Sequence, residues 1–467
     1  MDGAQTRRTD GEENVLAAAA VEELGARLGS RPISPDDPGY DDARRVWNGM
    51  IDRRPALVAG CRGVADVIAS VRFAREHGLL LAVRGGGHNV AGFGTCDGGL
   101  VVDLSAMRGV GVDPTRRTVR VGGGATWADV DRETQVFGLA VPGGIVSTTG
   151  VGGLTLGGGQ GWLRRTYGMA CDSLVSADVV TADGELVTAS ARENEDLFWG
   201  LRGGGGNFGV VTSFEFQLHR VGEILGGMVL HAIDDAPDVI AFVADFARAA
   251  PDELVLMIVL VTGPDGSRVC GIAVCYNGDL TEGKRLLRPL RSFGTPVADQ
   301  IGPMSYRALQ NMFLDGFPAG QQNYWKSNFL RELNSDAIGV IVESFKRVPS
   351  LTSAIAIECL TGAVQRVGLN ETAFSHRSSP FDLLIVGMWR DPADTDAHVG
   401  WVRKLWQEMQ PYSSGVYVNY LGQEEDEGRE RIRAAYGPAV YGRLADLKRK
   451  YDPDNLFRMN QNIAPSK

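Results

Sequence analysis

The sequence predicts an α+β protein built as two lobes, and three features predict it. In the first half, glycine-rich stretches follow short apolar runs of strand character; from Gly226 onward, strand-like runs alternate with helical stretches and the glycine loops disappear. The length, 467 residues, exceeds a single typical domain and fits two large lobes or about three ordinary domains.

Composition narrows the class. A hydrophobic fraction of 44% and a charged fraction of 22% are those of an ordinary globule with ample material for a core. The net charge of −10, with no run of Lys or Arg, argues against a phosphate-tracking surface, so no nucleic-acid partner is expected. No stretch approaches the ~18 apolar residues of a membrane span. The N-terminus, MDGAQTRRTDGEEN, is charged where a signal peptide needs an apolar core, so the sequence predicts a cytoplasmic protein without a membrane partner. Cys61, Cys96, Cys171, Cys270, Cys275 and Cys359 form no CxxC pair, and the odd spacing of Cys270 and Cys275 puts them on opposite faces of one strand. They read as buried free thiols, and no metal site is expected.

Taken in order, residues 14–28 read as an exposed helix followed by a Pro-rich crossing at 31–38. Val64, Val67, Ile68, Val71 and Phe73 have helical spacing over 64–77, and Gly78 leads into an apolar strand at 79–83. That strand runs into RGGGHN at 84–89. Gly85, Gly86 and Gly87 can turn sharply and aim successive amides at an anion, and Arg84 adds charge nearby, which suits a pyrophosphate. His88 and Asn89 then stand on a rigid edge, where a neutral imidazole is a candidate nucleophile. A strand at 100–104 places Asp103 and Ser105 at its exit; a strand at 119–121 is followed by three glycines and a helix capped by Thr126.

The second glycine-rich stretch, PGGIVSTTGVGGLTLGGGQG at 142–161, leaves little side-chain bulk over some twenty positions, enough for a flat, extended ligand. The dinucleotide fingerprint of a Rossmann fold is not met. Residues 174–181 and 185–189 flank a DG turn and read as a hairpin; 210–218 reads as a strand with one wet face, after which the first lobe closes near 220. In the second lobe, strands are expected at 228–233, 254–261, 269–276, 354–359 and 383–389, with helices at 239–250, 336–347 and 395–409. Tyr324, Trp325, Phe381 and Trp389 would suit a flat substrate, and a core role explains them equally well. YVNY at 417–420 reads as a short strand with Tyr417 and Asn419 on one face and Tyr420 on the other.

These motifs, together with VVDLSAMRG at 101–109, GVGGLTLGGGQGWLRRTYGMACD at 150–172, DLFWGLRGGGGNFGVVTSFEF at 196–216 and YDPDNLFRMNQNIAP at 451–465, occur in the order and spacing of one family. The chain resembles the berberine-bridge-enzyme-like branch of the vanillyl-alcohol-oxidase flavoproteins from about residue 55 to its end. The resemblance implies a two-lobed PCMH-type FAD-binding domain with an inserted α+β substrate-binding domain. In this reading 1–35 is an N-terminal extension, 36–220 the FAD-binding domain, 221–440 the substrate-binding domain and 441–467 a segment returning to the FAD domain. It further implies FAD bound covalently through the His88 ring to the flavin 8α carbon. Many relatives add a second bond from a cysteine at the position of Val146, so a single link is expected here.

By the same resemblance, Thr148, Thr149, Gly150, Gly152, Gly153 and Gly158 lie along the flavin, with Thr149 where oxygen arrives unless its hydroxyl merely caps a turn. Val210 lies at the adenosine end. Asn460 and Asn462 lie near the flavin ring, or reflect only the composition of a terminal turn. Tyr420 matches the catalytic tyrosine, with Tyr417 beside it in the motif. A phenol with pKa near ~10 is a poor base, so either nearby positive charge lowers it or the substrate proton leaves in concert with hydride transfer. The leading expectation is an oxidase acting on an alcohol, sugar, amine or secondary-metabolite intermediate with oxygen as acceptor. A dehydrogenase using another acceptor, and a flavin-holding protein without turnover, are the alternatives.

Overall fold

The structure, a computed structural model, describes residues 4–7, 13–422 and 428–467. Three sheets organise it, and they arise where the sequence changes texture.

The first lobe holds a three-stranded parallel sheet and a five-stranded antiparallel one. In the parallel sheet Leu100–Asp103 lies between Leu57–Gly60 and Leu81–Arg84. The amphipathic helix Val64–Glu76 crosses over it, burying Val67, Val71 and Phe73 as the 3.6-residue spacing requires. In the five-stranded sheet Leu174–Val180 forms the expected hairpin with Leu186–Ser190 and also pairs with Val210–Gln217, which pairs in turn with Thr118–Gly122. The helix Trp127–Thr134 opens with the expected cap, Thr126 and Asp129 bonding reciprocally across its first turn.

The second lobe is a nine-stranded antiparallel sheet from Glu223–Ala232 to Ser413–Gly415, and it contains a strand, Gln322–Leu330, that local pattern did not reveal. Helices Ala236–Ala249, Ser335–Phe345 and Thr395–Glu408 cover one face. Along Ala354–Cys359 the residues Ile355, Ile357 and Cys359 point to those helices, so period two turns Ala354, Ala356 and Glu358 to the opposite face, towards the first lobe. Cys270 and Cys275 fall in different core clusters on either side of their strand, and all six cysteines are buried and free.

The chain then returns. After the helix Arg429–Tyr451, bent at Gly437 and Pro438, Lys448 is buried with its Nζ donating to Asp452, Asn207 and Phe457, and Asn207 Oδ1 accepts from the amide of Ile463. Leu456 and Phe457 join the core of the parallel sheet.

Two local expectations are corrected. The N-terminal helix begins at Ala18 rather than at 14, and it is not wholly exposed, because Leu24 and Leu28 pack against the helix of the parallel sheet. YVNY is not a strand: pairing ends at Gly415, and Val418–Tyr420 forms a 3-10 turn closed by the Tyr420 amide on the Tyr417 carbonyl. Residues three apart eclipse in that geometry, so Tyr417 and Tyr420 share a side, with ring centroids 4.9 Å apart. Among the described residues, no helix is long and apolar enough to cross a membrane.

Candidate active site

A long cavity runs between the lobes, walled by glycine backbone at one end and aromatic side chains at the other. Gly85, Gly86 and Gly87, then Gly150, Gly152 and Gly153, then Gly205, Gly206 and Gly209 line it, with Arg84, His88, Asn89, Thr149, Val210 and Asn460. The first two glycine stretches cross in backbone contact: a Cβ on Gly86 would stand 2.5 Å from the Gly150 Cα, and one on Gly150 2.5 Å from the Gly86 nitrogen. Only glycine permits that crossing.

Not every expected ligand residue does what its position implied. Arg84 lines the cavity, but its guanidinium is held by Asp103, through Nε at 3.1 Å and Nη2 at 2.8 Å, and by the carbonyls of Ala43 and Arg45. Its guanidinium is thus paired within the fold. Ser105 donates to the same Asp103 and, with Thr148, faces an adjoining cleft on the other side of the His88 loop. Asn89 accepts from the Phe93 amide at 3.2 Å and holds the turn after His88. Gly158 lies outside the cavity wall, at φ 122° against Phe374. Asn462 is also off the wall, whereas Asn460 donates to Gly206 and Phe457 and leaves its Oδ1 buried without a partner among the described residues.

His88 stands where the cavity and the cleft meet. Its Nε2 is 3.0 Å from Thr148 Oγ1 and its ring stacks on Trp47 at 5.0 Å, with 19° between the planes. Burial lowers its pKa to about 4, so the imidazole is neutral at physiological pH and keeps a free electron pair.

At the aromatic end, Trp47, Phe317, Trp325, Leu384 and Tyr420 line the cavity. The Tyr420 hydroxyl donates to Glu358 Oε1 at 3.1 Å. Glu358 Oε2 forms an ion pair with Arg164, 3.1 Å from its Nη1, and Arg164 is wholly buried, donating its hydrogen bonds to backbone carbonyls that include those of Gly161 and Cys359. Directly opposite Glu358 in the antiparallel register is Asp382, which accepts from Gln160 Nε2 at 2.7 Å. Two carboxylates and one guanidinium thus occupy a buried cluster, and burial, reinforced by the charge of Glu358, pushes Asp382 well above the usual carboxylate range. Burial and the Glu358 charge likewise push the Tyr420 phenol well above its ordinary value. The expectation of a positive charge lowering that phenol is therefore not met; its partner is an acid.

Tyr417 lies behind this wall. It is fully buried, its oxygen accepting from the Gly159 amide and from Asn419 Nδ2, each at 2.8 Å. Sequence reasoning missed Trp47, Gln160, Arg164, Glu358 and Asp382. Arg164 and Gln160 stood inside a motif already singled out, but Glu358 and Asp382 had no local signal beyond being acids inside apolar strands.

A glycine-walled cleft that a Cβ would fill, an unpartnered Asn460 oxygen on its wall and a neutral histidine at its edge fit a long, flat dinucleotide. They define, with the two-lobed fold, an FAD-dependent oxidoreductase. Family comparison agrees: residues 55–190 match the family described as FAD binding domain, and 416–464 the one described as berberine and berberine like. The chain is 34% identical over 428 residues to an FAD-linked oxidoreductase of Dictyostelium discoideum, covering 91% of this chain and 92% of that one. It is 32% identical to (R)-6-hydroxynicotine oxidase of Paenarthrobacter nicotinovorans, over 93% and 96% of the two chains. The crystal structure of 6-hydroxy-D-nicotine oxidase from Arthrobacter nicotinovorans superposes with a TM-score of 0.86 at 31% identity, covering 93% of this chain and 98% of that one. The chain belongs to the berberine-bridge-enzyme-like FAD-linked oxidoreductases.

Proposed function

We propose that this protein is an oxidase that holds FAD through a single covalent bond at His88 and removes a hydride from a small ring-bearing amine or alcohol. FAD, when bound, supplies the two-electron acceptor. The chain's own groups handle the proton. Tyr420 faces the substrate end with its hydroxyl already donating to Glu358, so it takes a substrate N–H or O–H proton as it hands its own to the carboxylate. The raised phenol pKa favours this concerted route over a standing phenolate. The Arg164 guanidinium, 3.1 Å from the second oxygen of Glu358, sets a positive charge beside the acceptor carboxylate.

The Tyr420–Glu358 hydrogen bond at the aromatic end of the cavity carries this reading. The walls there, Trp325, Phe317, Leu384 and Trp47, are chiefly aromatic and apolar, which favours a compact ring over an extended glycan. The 6-hydroxynicotine of the similar oxidase is such a ring, and it supports the same class of substrate here. Thr149, small and on the cavity wall, supports oxygen as the acceptor, and Val146 in place of a thiol supports attachment at one residue.

The test is a panel of heterocyclic amines, aromatic alcohols and oligosaccharides screened for flavin bleaching under nitrogen, then mixed with oxygen. Bleaching by the ring compounds, reoxidation within the turnover time and stoichiometric hydrogen peroxide are expected. Bleaching without reoxidation by oxygen makes the protein a dehydrogenase, and bleaching only by oligosaccharides overturns the substrate class.

A further inference from the structure

His88 is gripped from two sides, and both grips are anchored in the second lobe. Thr148 Oγ1 lies 3.0 Å from His88 Nε2, and the preceding residue, Ser147, donates to Asn311 Oδ1 at 2.6 Å. Trp47 stacks on the ring, its amide donating to Gly87 at 3.0 Å, its carbonyl accepting from Gly320 at 2.9 Å and its indole Nε1 donating to the Phe317 carbonyl at 3.3 Å. Asn311, Phe317 and Gly320 all belong to one segment of the second lobe, between the helix Tyr306–Gln310 and the strand Gln322–Leu330.

We propose that Thr148 and Trp47 are positioning residues for flavin attachment: Thr148 holds the Nε2 proton and leaves Nδ1 as the attacking nitrogen, while Trp47 sets the plane of the ring. A neutral imidazole has one N–H and one lone pair, and the hydrogen bond made by one nitrogen decides the role of the other. Fixing one orientation removes rotational freedom that an attacking group would otherwise have to lose. The inference rests on the covalent reading above.

The step balances as follows. An Nδ1–C8α bond forms and one C8α–H bond breaks; the imidazole also gives up its Nε2 proton, for which Thr148 Oγ1 is the first acceptor. The two hydrogens removed, as two protons and two electrons, pass to the flavin ring, and dioxygen takes them up as hydrogen peroxide. Trp47 and Ser147 are both held by the 311–320 segment, so the second lobe supports the attacking geometry.

The test uses the full chain prepared without flavin and reconstituted with FAD in air, attachment being read as flavin fluorescence that survives denaturing electrophoresis. Thr148→Val, nearly isosteric at an exposed position, should bind FAD but attach it about tenfold more slowly or worse, the loss of one orienting hydrogen bond. Thr148→Ser should recover most of the rate, and Trp47→Leu should slow it as well. In flavin-free protein, ¹⁵N shifts of His88 should show the Nε2-protonated tautomer, and a mixture in Thr148→Val. A wild-type chain that retains its flavin while Thr148→Val attaches equally fast, or a wild-type His88 protonated on Nδ1, overturns this proposal alone. A wild-type chain that releases all its FAD on denaturation overturns the covalent reading and this proposal with it.

Discussion

The hydroxyl of Tyr420 donates to Glu358 at 3.1 Å, and Glu358 faces Asp382 across the next strand. A phenol placed against a carboxylate works as a relay, so both members should be needed. Tyr420→Phe and Glu358→Gln should each slow anaerobic flavin reduction by about 10²- to 10⁴-fold, measured by stopped flow, with FAD still bound. A wild-type rate in either variant places the base elsewhere.

Tyr417 should behave differently, for a reason that differs from strand alternation. Its oxygen satisfies the buried amide of Gly159, so Tyr417→Phe strands a donor and should cost roughly 1–3 kcal/mol of stability. The melting temperature should fall, while reduction by substrate slows far less than in Tyr420→Phe.

Attachment should be single. Wild-type protein precipitated with acid should keep its yellow colour, His88→Ala should release it, and peptide mapping should find one flavinylated residue, since Val146 offers no sulfur. Flavin on Cys171 as well would contradict this, and that thiol is buried and pushed up in pKa by burial, which makes it a poor nucleophile.

The crossing of the two glycine stretches gives a steric prediction. Gly86→Ala places a methyl group 2.5 Å from the Gly150 Cα, so one loop must move. The variant should retain secondary structure by circular dichroism yet lose most of its FAD on gel filtration.

Asp131 makes stability depend on pH. It is buried between the lobes with Gln310 Nε2 donating to one oxygen at 3.0 Å, and its other oxygen and the Gln310 Oε1 lack partners among the described residues. Burial raises its pKa to about 7, against the Gln310 hydrogen bond and the Arg307 charge, with the buried Tyr306 phenol beside it. A raised carboxyl pKa means that the folded state holds the proton more tightly than the unfolded chain, whose value is ~3.9. The stability it contributes is complete below that value and is lost as pH rises to about 7. Denaturant titrations should show wild type losing on the order of a few kcal/mol more than Asp131→Asn between pH 4 and pH 8, with the variant the more stable at pH 8.

Much of the flavin end was legible from local chemistry. RGGGHN after an apolar run, the glycines of 142–161 and the Thr126 cap each carry their conformation in adjacent residues, because glycine freedom and capping act over one turn. The substrate end was less legible. In YVNY a 3-10 turn replaced the strand, which reversed the relation of the two tyrosines, and only the end of pairing at Gly415 fixes where that turn starts.

By itself the sequence determined that glycine-rich stretches, one of them ending in a histidine, give way near residue 226 to an α+β texture, and that a tyrosine pair stands in YVNY. These follow from spacing and residue type, while the two-lobed arrangement came from the family resemblance. Only the tertiary structure decided which groups complete the site. Arg84 is consumed by Asp103, 19 positions away, and Trp47 reaches His88 from outside every recognised motif. Glu358 meets Tyr420 across 62 residues and Asp382 through strand register alone. Such contacts depend on which strands become neighbours, and that is set by burial of whole faces rather than by any short stretch of chain.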